Sequence, residues 1–304
     1  MGAQSRSRPL TPDPNILRMP HLHDDEVKRL ELIANKLRQH VITSVAQAKS
    51  GHQGGPLGMA DIFSVLYFHE LRHDPKNPMW EERDRLILSN GHICPIRYAA
   101  MAEAGYFPVE ELMTLRKLGS RLQGHPERAK LPALESTSGP LGEGLAQAVG
   151  MAYASKMDGK KWRTYCITGD GEHDEGIMWE AIHFAGKNKL DNLINIVDRN
   201  YIQIDGNTED VMPLDPFEEK YKAFGWHVIG CSGNDIQDVV RALEEAKTLA
   251  TKPIVIVAHT TPGKGVSYME NNYLWHSQPF KAGEAEKALE ELKAEEARIT
   301  AETH

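Results

Sequence analysis

Cysteine is scarce in this 304-residue chain: Cys94, Cys166 and Cys231 are odd in number and far apart. That argues against a disulfide framework and suits a reducing compartment, so the cytoplasm is the default expectation. No apolar run exceeds five residues, as at Ile254–Ala258, whereas a membrane-spanning helix needs ~20. Residues 1–20 hold no signal-peptide stretch. The opening MGAQSR places Arg6 where a myristoylation signal has Ser or Thr. Positive charge is in deficit, with 35 Lys and Arg against 43 Asp and Glu for a net charge of −8. An acidic chain lacks the electrostatic footprint of nucleic-acid binding. It can still hold a small anion, because backbone N–H groups bind phosphate without net positive charge. Neither a Lys-Ser/Thr phosphate loop nor a Gly-x-Ser-x-Gly elbow is present.

The remainder is an ordinary globular balance, 40% hydrophobic and 26% charged. Four prolines mark residues 1–20 as a tail. Residues 24–49 predict a helix, with Leu30, Ile33, Leu37, Val41, Val45 and Ala48 at three- and four-residue steps. SGHQGGPLG (50–58) breaks it, and helical spacing resumes over Met59–Leu71. Arg85–Ser89 reads as a buried strand. A Gly/Ala-rich helix follows SGPLGEG (138–144) to about Met157. From there strand and helix alternate: strand Trp162–Thr168, helix Glu175–Lys187, strand Leu193–Val197, strand Trp226–Gly230, helix Asp235 to Ala250, strand Ile254–Ala258. The expectation is an α/β fold, a parallel sheet with helices on both faces, and a ligand site at the carboxyl ends of the strands. One such domain would span residues 21–282. Residues 283–304, with Ala285, Leu289 and Leu292 on one side, form a charged C-terminal helix.

Gly169-Asp170-Gly171 follows a strand, and Asn200 ends the next one. Two glycines let a diphosphate approach the backbone while the carboxylate faces a cation. One Asp, one Asn oxygen, one backbone carbonyl and two phosphate oxygens suit Mg²⁺. A bare Gly-Asp-Gly is an ordinary turn; the Asn across a βαβ crossover makes it specific. His52, His92, His125 and His276 lie in the Gly- or Pro-rich loops SGHQGG, SNGHICP, QGHPE and LWHSQP. Imidazoles there can pass protons or hydrogen-bond sugar hydroxyls and phosphate. Gly139–Gly144 opens a helix with bare backbone on which a flat ring or a diphosphate could lie. His173-Asp174-Glu175 fits no usual zinc spacing.

SGHQGGPLG, LSNGH, QGHPE, STSGPLGEG, ITGDGEHDEG, KLDNLINIVDRN and WHSQP occur in this order over residues 40–280. In that order and spacing the chain resembles the amino-terminal, thiamine-diphosphate-binding subunit of a split transketolase. The resemblance implies Asp170, Asn200 and the carbonyl of Ile202 as ligands of Mg²⁺ or another divalent cation such as Ca²⁺ or Mn²⁺. It implies Gly171 and His92 as diphosphate contacts and Gly139, Pro140 and Leu141 against the cofactor rings, with His276 at the cofactor's edge. It implies His52, His125 and His276 as the groups that meet the sugar and move its protons, and Glu175 as the acid linking two active sites. It also implies a C-terminal partner carrying the pyrimidine domain, its activating glutamate and the basic residues that grip sugar phosphate. The assembly would be a heterotetramer acting on sugar phosphates of pentose phosphate chemistry, and this chain alone would be inactive. Three departures bear on the sugar rather than the cofactor: His259 where Lys is frequent, Ser277 where Gly is usual, and Ile93-Cys94 where small residues are common. A non-catalytic cofactor-binding paralogue would not need four loop histidines. The alpha chain of a 2-oxo-acid dehydrogenase lacks SGHxGGPLG and has Asn-Asn where Arg199-Asn200 stands.

Overall fold

The computed structural model describes residues 22–302; the Pro-rich tail at 1–20 lies outside the described residues. The elements, in chain order, are α1 (Asp24–Ala48), α2 (Gly54–Gly58), α3 (Ala60–Val65), β1 (Arg85–Leu88), α4 (Cys94–Glu103), α5 (Glu143–Met157), β2 (Thr164–Gly169), α6 (Gly176–Asn188) and β3 (Leu193–Arg199). The short β4 (Ile202–Gln203) and β5 (Gly206–Asn207) follow, then α7 (Thr208–Val211), α8 (Phe217–Ala223), β6 (His227–Ser232), α9 (Ile236–Thr248), β7 (Ile254–His259) and α10 (Glu284–Ala301). Five strands form one sheet in the order β1-β2-β3-β7-β6, every neighbouring pair parallel.

Side-chain alternation along the strands divides the core in two. Leu86, Leu88, Tyr165, Ile167, Ile194, Ile196, Ile254 and Ile256 face one layer, which includes α1, α3, α4, α9 and α10. Ile87, Cys166, Leu193, Val197, Val255 and Val257 face the other, formed by α5, α6 and α8. Both faces being buried explains why these strands read as continuous apolar runs. Helix α10 belongs to the first layer: Ala288 and Leu292 are fully buried, and Asn35 Nδ2 of α1 donates to the Leu292 carbonyl at 2.8 Å.

Two local readings of the sequence are corrected. SGHQGGPLG contains the helix α2 rather than a plain break, and the helix after it is divided, α3 passing at Leu66 into a wider turn. Glycine disfavours helix intrinsically, but close approach decides here. A Cβ on Gly54 would stand 2.9 Å from the Trp275 carbonyl oxygen, and one on Gly58 would stand 2.9 Å from that of Thr261. Only bare backbone lets α2 sit this close to the loops that close the site. Helices α4 and α8 and the hairpin β4–β5 went unread; Cys94–Glu103 is apolar nearly all round and buried through most of its length, so it carries no amphipathic period.

Candidate functional site

Because every sheet pairing is parallel, the strand ends deliver their loops to one edge. β1 leads into Ser89-Asn90-Gly91-His92, β2 into Asp170-Gly171, β3 into Asn200, and β7 into Thr260. The loop before α2 brings His52, the segment after Leu122 brings His125, and the turn Tyr273–His276 brings His276. Gln53 Nε2 donates to the Gln278 carbonyl and so ties two of these loops together. They enclose a cavity of about 400 Å³ lined by all four histidines, by Gly139, Leu141, Gly171, Asn200 and Ile202, and by the acids Asp170, Glu172, Asp198 and Asp205.

The floor is a hydrogen-bonded frame. Asp170 is 1% exposed. Its Oδ1 accepts from Gly171 N at 2.8 Å; its Oδ2 accepts from Tyr201 N at 2.7 Å and from Arg199 Nη1 at 3.3 Å. Burial outweighs Arg199 and pushes the Asp170 carboxyl up to about 6. Asn200 Oδ1 accepts from Ile202 N at 3.0 Å, and Asn200 Nδ2 donates to Asp198 Oδ2 at 2.9 Å. Asp198 also accepts from the Thr260 hydroxyl; burial, with the charge of Asp170 adding to it, raises its carboxyl to about 7. Buried Asp170, beside the Asn200 amide oxygen and the Ile202 backbone, offers the hard oxygens that suit a divalent cation, with buried Asp198 bracing Asn200. Among the described residues, buried Asn90 Oδ1 and Gln203 Nε2 have no partner, and both residues line the cavity. A polar ligand there would satisfy them.

The wall is different. The His52 ring centroid lies 4.9 Å from that of His92, 5.2 Å from His276 and 6.4 Å from His125; His92 and His276 are 5.0 Å apart. Burial, then mutual repulsion, lowers His52 to about 3 and His92 well below the usual range. Burial lowers His125 and His276 as well. All four are therefore neutral imidazoles at pH 7.

The structure brings together His52, His92, His125, His276, Gly139, Leu141, Asp170, Gly171, Asn200 and Ile202. Pro140 does not line the cavity and is exposed, and Glu175 lies apart, exposed at the start of α6. Among the described residues no three His, Cys, Asp or Glu side chains are grouped as a metal site. His259 hydrogen-bonds the Tyr201 hydroxyl at 2.9 Å and is held neutral by burial. Sequence reasoning missed Glu172 and Asp198. Glu172, 3% exposed, accepts from Ser89 Oγ at 2.5 Å, Gly142 N at 2.7 Å and Gly169 N at 3.0 Å, joining three cavity segments. Its position beside Gly171 was the available signal, but only the fold shows what it holds.

The family model for the thiamine diphosphate binding domain of transketolase matches residues 30–300. The chain is 42% identical over 262 residues to the 6-deoxy-6-sulfo-D-fructose transketolase subunit SqwG of Clostridium sp. (strain MSTE9), covering 86% of this chain and 95% of that one. It is 43% identical over 273 residues to one subunit of the apulose-4-phosphate transketolase of Actinobacillus succinogenes, covering 90% of this chain and 98% of that one. The crystal structure of Campylobacter jejuni transketolase superposes with a TM-score of 0.81 at 38% identity, over 89% of this chain but 45% of that longer one. The chain belongs to the transketolase family, matching its thiamine diphosphate-binding domain.

Proposed function

We propose that this chain is the cofactor-binding subunit of a two-polypeptide transketolase, which moves a two-carbon ketol unit from a ketose phosphate to an aldose phosphate. The observation that carries the reading is a single cavity in which four neutral imidazoles stand over buried Asp170 and half-buried Asn200. The relatives named as subunits, covered over 95% and 98% of their length, support a separate partner.

Asp170, Asn200 Oδ1 and the Ile202 carbonyl would hold Mg²⁺, Ca²⁺ or Mn²⁺, with His92 and the Gly171 N–H toward the diphosphate. Gly139, Pro140 and Leu141 would lie along the rings. Thiamine diphosphate, when bound, supplies the carbanion chemistry that cleaves and remakes the bond beside a ketone carbonyl. This chain positions the sugar and moves its protons. A neutral imidazole takes the proton of a substrate hydroxyl on one nitrogen and donates from the other, a role worth about 10²–10⁴ in rate. His52, His125 and His276 fill it, and His276 also borders the cofactor. Glu175, exposed at the start of α6, would communicate with the second active site across an assembly of two copies of each chain. Cys94, Cys166 and Cys231 are unpaired and buried, which fits a cytoplasmic enzyme of pentose phosphate chemistry.

The test assays the purified chain, then the chain with a polypeptide carrying the pyrimidine domain, in Mg²⁺ and thiamine diphosphate. Turnover only in the mixture, with light scattering giving two copies of each, is the expected result. Robust turnover by this chain alone would refute the two-polypeptide reading.

A further inference from the structure

A second, much smaller cavity lies at the start of β1, the end away from the site. Its volume is about 20 Å³, and its lining includes Tyr67 of the wide turn after α3, Arg83 and Asp84 ahead of β1, Arg97 of α4, and Glu135. Space of about 10–15 Å³ already admits one water-sized particle. Arg97 is 1% exposed and Arg83 is 7% exposed. Arg97 Nη2 donates to the Leu86 carbonyl at 2.9 Å. Among the described residues its Nε and Nη1 have no partner, and neither has Arg83 Nε. Three guanidinium nitrogens are thus buried without an acceptor on two side chains that line one small cavity.

The acids beside it do not answer Arg97. Asp84 accepts from Arg163 N with one oxygen and from Arg72 N with the other, both at 2.9 Å. Glu135 is drawn to Arg83 Nη2 at 2.8 Å and lies 3.8 Å from Arg85 Nε. Among the described residues no carboxylate lies within ion-pair distance of Arg97. Arg83, Arg85 and Arg97 stand against Asp84 and Glu135, which leaves one positive charge over. His73, also in the lining, adds no acceptor: its Nε2 donates to the Tyr67 carbonyl at 2.8 Å, and its Nδ1 is engaged with the Tyr106 hydroxyl at 2.9 Å. Burial raises the Tyr67 phenol above its usual range even with Arg97 beside it, so it stays a hydroxyl and brings no negative charge. Burying an unpaired charge is costly, and hydrogen bonds to a charged donor are the strong ones. A water in this space would accept hydrogen bonds but leave the charge. A small anion would meet both needs.

We propose that this cavity binds a small monovalent anion of halide size, which neutralises Arg97 and fastens α4 to the start of β1. Strand β1 and helix α4 flank the segment carrying Asn90 and His92, so the anion braces that segment from behind without touching substrate or cofactor. The inference does not depend on the reaction proposed above. In the first test, crystals of the full chain are soaked in sodium bromide. An anomalous-scattering peak in contact with Arg97 and Arg83 is the expected result, and water density alone in the cavity overturns the proposal. The second test is thermal unfolding of the full chain, with sodium gluconate exchanged for sodium chloride at constant ionic strength. Chloride should raise the midpoint in a saturating way, by about 2–4 °C at about ten times the dissociation constant. Arg97→Met keeps an unbranched side chain but removes the charge, and its midpoint should not respond to chloride. Arg121→Gln, remote from this cavity, should respond as the unmodified chain does. Should Arg97→Met fail to fold, Tyr67→Phe removes only the hydroxyl beside Arg97 and should weaken the chloride response severalfold. A response that rises without saturation, or that Arg97→Met or Tyr67→Phe retains in full, is a general salt effect and overturns the site.

Discussion

The floor and the wall of the cavity differ in how their polar atoms are satisfied. On the floor Asp170 and Glu172 each accept three hydrogen bonds, and Asp198 and Asn200 are each bonded twice. Buried His173 uses both ring nitrogens, Nδ1 toward the Gly169 carbonyl at 2.9 Å and Nε2 toward the Tyr221 hydroxyl at 2.7 Å. On the wall none of His52, His92, His125 and His276 is hydrogen-bonded to a described residue, and His52 Nδ1 is buried without a partner. Leaving a buried polar atom unpaired costs about 1–3 kcal/mol. A fold that satisfies His173 fully and four neighbouring imidazoles not at all separates framework from working groups. On the proposed function, such a floor suits a resident cofactor and such a wall suits substrates that come and go.

The largest expected effect breaks the floor. Asp170→Ala removes the one charged group in the proposed cation set and leaves Tyr201 N and Arg199 without that partner. Affinity for thiamine diphosphate in Mg²⁺, measured by calorimetry with the partner present, should fall by about three orders of magnitude, in line with the several kcal/mol that a lost buried charge partner costs. Unchanged affinity would remove Asp170 from the cation site.

Next, the wall divides within itself. His276→Ala or His52→Ala should lower kcat by about 10²–10³, within the range of general acid–base groups, while cofactor affinity stays near that of the unmodified protein. His92→Ala should lose cofactor affinity first. If His276→Ala lost the cofactor yet kept full kcat at saturating thiamine diphosphate, the division between diphosphate contact and proton carrier would be wrong.

Much of this contrast was legible in the sequence. The alternation of strands and helices pointed to the sheet, and the Gly-flanked histidines and Gly169-Asp170-Gly171 stood out because loops with bare backbone are where ligands approach. What could not be read is which histidines are satisfied. His173 sits in the same motif as Asp170, but the hydroxyl that satisfies it comes from Tyr221 on a helix 48 residues away. Glu172 was invisible for a similar reason, since its partners Ser89 and Gly142 arrive from two other segments. Helix α2 was hidden by its own glycines, whose low propensity is overridden only by contacts with the loops around Trp275 and Thr261. Local spacing shows candidates; long-range hydrogen bonding sorts them.

Glu172 therefore offers a finer cut. Glu172→Gln keeps volume and one acceptor oxygen, which can retain Ser89 Oγ and Gly142 N. It turns an amide NH₂ toward Gly169 N, where a donor meets a donor. The expected cost is about 1–3 kcal/mol of stability, read as a lower urea midpoint. The KM for thiamine diphosphate should rise about tenfold at little cost to saturated kcat, because the carboxylate is taken up by three hydrogen bonds that position Gly169–Gly171. Glu172→Asp should not rescue it, since the shorter side chain cannot span all three partners. A loss of kcat at saturating cofactor with an unaltered KM would place Glu172 in the chemistry instead.

The smallest effect distinguishes floor from wall by the sign of their pH dependence. His52 is lowered to about 3 by burial and by the neighbouring imidazoles and Arg116. Below about pH 6.5 the unfolded chain takes up a proton at this histidine that the folded chain refuses, so its contribution to stability falls as pH drops from about 6.5 toward 3. His92, His125 and His276 are shifted in the same direction. The floor carboxyls work oppositely. With Asp170 raised to about 6 and Asp198 to about 7, the folded chain protonates first, and their contribution rises as pH drops from about 7 toward the ordinary carboxylate range near 4. His52→Gln removes one acid-labile member of the wall without touching the floor. In urea unfolding without cofactor, its midpoint relative to the unmodified chain should therefore move upward between pH 7.5 and pH 5, modestly because the ring is only partly enclosed. A difference that stays constant across that interval would show that His52 titrates normally, and that the wall is wetter than its buried nitrogen implies.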